Sequence, residues 1–170
     1  MDSVGIISLL VVSVFLVGAV IFDCVNHRIP NYYVLLGLLL AITLQTWTAG
    51  WTGILAGGAG LLTGFALFLP FYALGGMAAG DVKLMAVVGS FLGWSGALWA
   101  GVLSLIAGSL LGIVYLLCKG QLGKLLGRYW AMASLRTHIP AQDNDAARDR
   151  FPYALAIAVG TLASLYWTPF

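Results

Sequence analysis

Long apolar runs with almost no charge inside them constrain this chain more than any other feature. They extend over Val4 to Phe22, Tyr32 to Trp47, Gly53 to Leu74, Val82 to Trp94, Gly96 to Cys118 and Phe151 to Trp167. Only 8% of the residues are charged and the mean hydropathy is +1.00, far from a water-soluble domain that must cover its surface with polar groups. In hydrocarbon every backbone N–H and C=O needs a partner within the protein, and none of the runs alternates apolar with polar residues as a barrel strand does. The sequence therefore predicts an all-α polytopic membrane protein, a single membrane-embedded domain over 1–170 with six transmembrane helices at 4–22, 32–47, 53–74, 82–94, 96–118 and 151–167. The first run is too long for a signal-peptide core and no Lys or Arg precedes it, so it reads as a retained helix.

Orientation follows from the cations, which are kept on the cytoplasmic side. All eight (Arg28, Lys83, Lys119, Lys124, Arg128, Arg136, Arg148 and Arg150) lie in or beside the first, third and fifth connections. Both termini are thus expected outside, with a cytoplasmic loop at 119–150. The first half of that loop, Gly120 to Arg136, places Leu122, Leu125, Leu126, Tyr129, Trp130 and Ala133 on one arc and Gln121, Lys124 and Arg128 on another. This suits a helix lying in the headgroup layer, or equally a basic loop with some apolar residues. The net charge of +2 comes from these connections and implies no nucleic acid. Cys24 and Cys118 are far apart in sequence, and His27 and His138 stand in unrelated settings, so neither a metal nor another cofactor is expected. Glycine recurs as Gly53-xxx-Gly57, Gly60-xxx-Gly64 and Gly108-xxx-Gly112, small-residue faces that let the third and fifth helices pack closely within the chain, though self-association would use the same pattern.

The acids are the most informative residues. There is no glutamate, and of six aspartates Asp2 is terminal, Asp143, Asp145 and Asp149 sit in the polar loop, and Asp23 and Asp81 border apolar runs. An ionisable group at membrane depth is a functional candidate by default. Asp81 could instead be an N-cap of the fourth helix. Asp23 ends an apolar helix where the dipole disfavours an anion, and Arg28 is its only nearby cation in sequence. By the helix-end argument Asp81 is the better carboxylate and Asp23 the better holder of a shared proton. Two carboxyls on one side of a helix bundle suit an aspartic protease, in which one takes a proton from an attacking water while the other hydrogen-bonds the scissile carbonyl.

These residues resemble a known family, the type IV prepilin peptidases, membrane aspartic proteases of the GxGD type. One family motif, an Asp followed by Ile-Pro-Asn, corresponds to Asp23 with Ile29, Pro30 and Asn31. A second, Gly-x-Gly-Asp-x-Lys-Leu, corresponds to Ala78, Ala79, Gly80, Asp81, Val82, Lys83 and Leu84, with Ala78 in place of the first glycine. A third, Pro-Tyr-Gly-x-Ala-Ile-Ala, corresponds to Pro152 through Ala158, with Ala154 in place of the glycine after Tyr153. The resemblance implies that Asp23 and Asp81 are catalytic, supported by Pro30, Asn31, Gly80, Lys83, Pro152 and Tyr153. It implies a multi-pass enzyme of the bacterial cytoplasmic membrane. Its substrate would be a prepilin or pseudopilin precursor, cut at the cytoplasmic face between a basic leader and a hydrophobic helix. Membrane lipid and the pilus assembly machinery are the further partners. The family's N-terminal methyltransferase domain and four-cysteine cluster have no counterpart, as in the short Tad or Flp-pilus type.

Two readings from other classes compete. A small proton- or cation-coupled transporter would use the same Asp pair along a path lined by the glycine-rich break at 73–80. A non-enzymatic membrane scaffold of a pilus or secretion system would use the glycine faces for partner helices. Neither requires Ile-Pro-Asn after one Asp together with Gly-Asp-x-Lys around the other.

Overall fold

The structure, a computed structural model, describes residues 3–26, 28–118, 120 and 153–167. Among these, all regular structure is helical: α1 (Ser3–Asn26), α2 (Asn31–Ala73), α3 (Ala79–Cys118) and α4 (Tyr153–Trp167). Three helices are long and apolar enough to cross a membrane, with candidate spans at Ile7–Asn26, Asn31–Ala73 and Ala79–Tyr115, and Tyr153–Leu165 is a shorter apolar helix. This is an all-helical membrane protein.

The expected boundaries shift in four places, one of them the start of α3, which lies at Ala79 rather than Val82. α1 runs to Asn26 rather than Phe22, so Asp23 lies inside the last turn of a helix instead of beyond it. The break expected at 48–52 shrinks to Gly50 (φ 58°, ψ −134°), and the one expected after Trp94 to Gly93 (φ 73°, ψ 179°). Both glycines adopt a positive φ that a side chain resists. Nothing else near either break stops a helix, since neither carries a proline, and each helix resumes at the next residue. The helical segments are therefore 3–26, 31–49, 51–73, 79–92, 94–118 and 153–167. The chain divides into two compact units, residues 1–108 with 152–170 and residues 109–151. The candidate site is described within the first. The headgroup-layer helix expected over 120–136, the polar half of the 119–150 loop, His27 and Pro152 lie outside the described residues.

The core is built from Val12 and Leu16 of α1, Phe68 of α2, Leu84, Met85, Val87 and Val88 of α3, and Ile157 of α4, all buried. α1 packs against α4 and α2. At its pairing with α2, the Tyr33 hydroxyl donates to the Phe15 carbonyl at 2.7 Å, and the two rings stack 4.8 Å apart. The glycine faces meet a partner that their spacing alone does not reveal. Three of those in the third segment pack on the fourth: a methyl at Gly60 would run into the Gly89 carbonyl, one at Gly64 into the Met85 carbonyl, and one at Gly57 would sit 2.9 Å from the Ser90 carbonyl oxygen, whereas one at Gly53 would run into the Gln45 carbonyl of the second segment. Gly108 makes room for the Tyr153 ring, whereas Gly112 faces open space. Next to the Gly93 break, the Gln45 amide donates to the Ser90 and Phe91 carbonyls at 3.2 and 3.1 Å. It supplies partners where the helix ladder is interrupted, because an unpaired main-chain carbonyl is costly in an apolar setting.

Candidate active site

Asp81 is the third residue of α3, not its N-cap. Its Oδ2 accepts the Ala78 N–H at 3.2 Å, reaching back one turn as the third residue of a capping box does, and the side chain is only 5% exposed. Asp23 is 8% exposed. Its Oδ2 accepts the Ala154 N–H at 3.0 Å, from the second residue of α4, 131 positions away in sequence. The first N–H groups of a helix have no partner within it, so Asp23 caps α4 while standing at the end of α1. Arg28 is exposed, whereas Asp23 is buried on α4.

This arrangement corrects the helix-end argument for telling the two acids apart. The negative end of α1 does oppose an anion at Asp23, but the positive end of α4 faces the same carboxyl, and each aspartate accepts one N–H from a helix N-terminus. The two carboxyl groups interact electrostatically, and Tyr153 is within reach of the Asp81 charge. One oxygen of each acid is thus committed to a main-chain donor, while the other can engage a water or a proton.

Several of the residues expected to support the pair contact one another. Pro30 stands at the N-cap of α2 with φ −64° and ψ 143°, and its carbonyl accepts the Tyr33 and Val34 N–H groups at 3.0 and 3.2 Å, closing the first turn. Proline's fixed φ suits this start and directs the chain so that Ile29 turns inward and Asn31 opens the helix. Buried Ile29 lies against Gly80, where an added Cβ would sit 3.7 Å from the Ile29 side chain. Gly80 itself is helical, and the positive φ angles among the described glycines fall at Gly50, Gly75, Gly93 and Gly120. Its value here is a small side towards Ile29. Lys83 Nζ donates to Asn31 Oδ1 at 2.9 Å. The Tyr153 hydroxyl donates to the Ser104 carbonyl at 3.3 Å, and its ring meets Phe68 edge-on with centroids 6.2 Å apart.

Residues from all three sequence motifs therefore converge: Ile29 and Asn31 touch Gly80 and Lys83, and Ala154 holds Asp23. Sequence reasoning missed Ser104, Phe68 and the role of position 154. The Ala154 contribution is a main-chain N–H, which glycine or alanine supplies equally, so no side-chain signal marks it. Among the described residues no group of three or more His, Cys, Asp or Glu side chains is placed to hold a metal ion.

The model of the type IV leader peptidase family matches residues 10–117, a stretch that includes Asp23, Pro30, Asn31, Gly80, Asp81 and Lys83 and stops before Tyr153. No curated protein and no solved structure matches the chain.

Proposed function

The chain belongs to the type IV leader peptidase family, and from that premise we propose that it is an aspartic endopeptidase working through Asp23 and Asp81. Family membership makes it a membrane peptidase with prepilins as its substrate class. The observation that carries the aspartic reading is the pair itself: two buried carboxyls that feel each other's charge, each held by one helix N-terminal N–H.

In the proposed reaction the pair carries one proton. The ionised carboxylate accepts a proton from water as the water oxygen attacks the scissile carbonyl carbon, and the protonated acid hydrogen-bonds the carbonyl oxygen, stabilising the charge that develops there. Collapse of the tetrahedral intermediate breaks the C–N bond, and the departing amine takes up a proton from the pair. No metal or cofactor enters.

The segments broken at Gly50 and Gly93 suit six crossings with both termini outside. The grouping of all eight cations in alternate connections supports a cytoplasmic catalytic end. There the substrate, a prepilin or pseudopilin, can leave its basic leader in water while its hydrophobic helix lies beside the bundle, which presents the scissile bond at the interface. We assign the protein to the bacterial cytoplasmic membrane and to the short Tad or Flp-pilus type.

The test is leader cleavage by the protein in lipid vesicles, read by mass spectrometry of prepilin fragments. Asp23→Asn and Asp81→Asn should each lower cleavage by roughly a thousandfold, since each removes an acid–base role typically contributing ~10²- to 10⁴-fold. Helical content should persist. Cleavage at even a tenth of the parental rate by either variant rules out the pair, and ion flux without proteolysis favours a transporter.

A further inference from the structure

α1 and α3 bring the two acids from separate helix ends, so something must keep those ends in register. The covalent link from Asp23 to the start of α2 is short, but α3 follows only after the whole of α2. Among the contacts between this region and the first turns of α3, two bear on the register of the acids. The buried one is Ile29 against Gly80, and the exposed one is the hydrogen bond from Lys83 Nζ to Asn31 Oδ1 at 2.9 Å, spanning 52 positions. Asn31 opens α2 eight positions after Asp23, and Lys83 lies two positions after Asp81, so a shift of either end stretches this bond directly.

We propose that Asn31 and Lys83 form a positioning latch: their hydrogen bond holds the Asp23-bearing end of α1 and the Asp81-bearing start of α3 at the separation catalysis needs, without either side chain touching substrate. The role rests on the aspartic reading above for its kinetic consequence but not for its structural one. The latch pairs a flexible ammonium stem with a short rigid amide at an exposed site, so breaking it does not leave a buried polar group orphaned. Ile29 on Gly80 preserves the fold when the latch opens. What changes is how often the two carboxyls are aligned, and alignment errors of about an ångström can cost up to ~10²-fold in rate. Since in this role neither side chain touches substrate, the effect falls on kcat rather than on KM.

The experiment combines kinetics with a distance. Lys83→Met keeps the stem and removes the donor, Asn31→Ala removes the acceptor, and Lys83→Arg keeps a donor. We expect roughly tenfold lower kcat with nearly unchanged KM for Lys83→Met and Asn31→Ala alike, no further loss in the double variant, and substantial recovery in Lys83→Arg. Independently of activity, spin labels on exposed Cys24, next to Asp23, and on exposed Ala79→Cys, near Asp81, in a Cys118→Ser background should give a broader distance distribution in either latch variant than in the parent. Full activity in Asn31→Ala beside a loss in Lys83→Met would overturn the proposal, because Lys83 would then act alone on substrate or lipid. Multiplying losses in the double variant, or an unchanged distance distribution, would overturn it equally. If the parent cleaves no prepilin, the aspartic reading fails, and the distance distributions still decide the latch.

Discussion

The glycine seam between 57–64 and 85–93 and the acidic end around Asp23 and Asp81 are held by opposite means. In the seam, backbone meets backbone: Gly60 and Gly64 leave no space for a methyl against the carbonyls of Gly89 and Met85. At the acidic end each carboxyl rests on a single N–H, and the start of α2 and the residue before it meet α3 through buried Ile29, which lies against Gly80, and one exposed hydrogen bond. Close packing is hard to deform, because small gaps forfeit dispersion contacts and small additions force strain. Single hydrogen bonds contribute only about 1 kcal/mol each and leave lone pairs available. The contrast suits a scaffold that fixes depth and direction while leaving two carboxyls free to exchange protons with water.

The largest effect should come from breaking the seam. Gly60→Val sets a branched side chain against main-chain carbonyls that no rotamer avoids, and overpacking typically costs ~1–3 kcal/mol, more where backbone must move. We expect loss of folded protein, measured as recovery from detergent and loss of cooperative melting. Gly58→Val, one position from Gly57 but facing open space, should melt as the parent does. Equal behaviour of the two variants would remove the seam as the rigid half of the comparison. Next in size stand Asp23→Asn and Asp81→Asn, which should silence cleavage but leave melting nearly unchanged, the reverse of Gly60→Val.

The border between the two regions runs through Gly80. Alanine there brings its Cβ to ordinary contact distance, 3.7 Å from Ile29, so Gly80→Ala should lower cleavage by no more than about threefold. Valine adds two methyls at the same place, displacing Ile29 from the start of α3 and with it the separation of the acids. Gly80→Val should reduce cleavage by roughly a hundredfold while the seam still melts cooperatively. A Gly80→Val enzyme with parental rate would show that the contact with Ile29 does not set the geometry of the pair.

How much of this was legible in the sequence follows from the range of each interaction. Apolar runs and helix-permissive breaks are local, so the helical segments and the positions of Gly50 and Gly93 lie close to what the residues predict. The face carrying Gly57, Gly60 and Gly64 was legible, but its partner was not, since spacing reports that a helix can be approached closely and not by what. Asp81 illustrates a boundary error of three residues with chemical content: as the third residue of the helix it holds its own N-cap, where an N-cap aspartate would reach forward instead. Asp23 illustrates a longer reach. Nothing within ten positions of it offers the positive helix end that it caps, because that end belongs to α4 and is 131 positions distant.

The smallest expected effect concerns Ala78, which occupies the place of the first glycine in the GxGD pattern. It is exposed, it stands at the N-cap of α3, and what it gives the site is the N–H that Asp81 accepts at 3.2 Å. Glycine provides the same donor. At an N-cap glycine is better tolerated than alanine, which favours Ala78→Gly in the folded state, while the freer backbone of glycine disfavours ordering by ~0.5–1 kcal/mol. The two contributions nearly cancel, so cleavage should stay within about twofold of the parent and the melting temperature should barely move. A tenfold rise would mean that Ala78 restrains the Asp81 carboxyl. The acidic end would then be tied by side-chain packing as well as by single hydrogen bonds, and its contrast with the glycine seam would be one of degree.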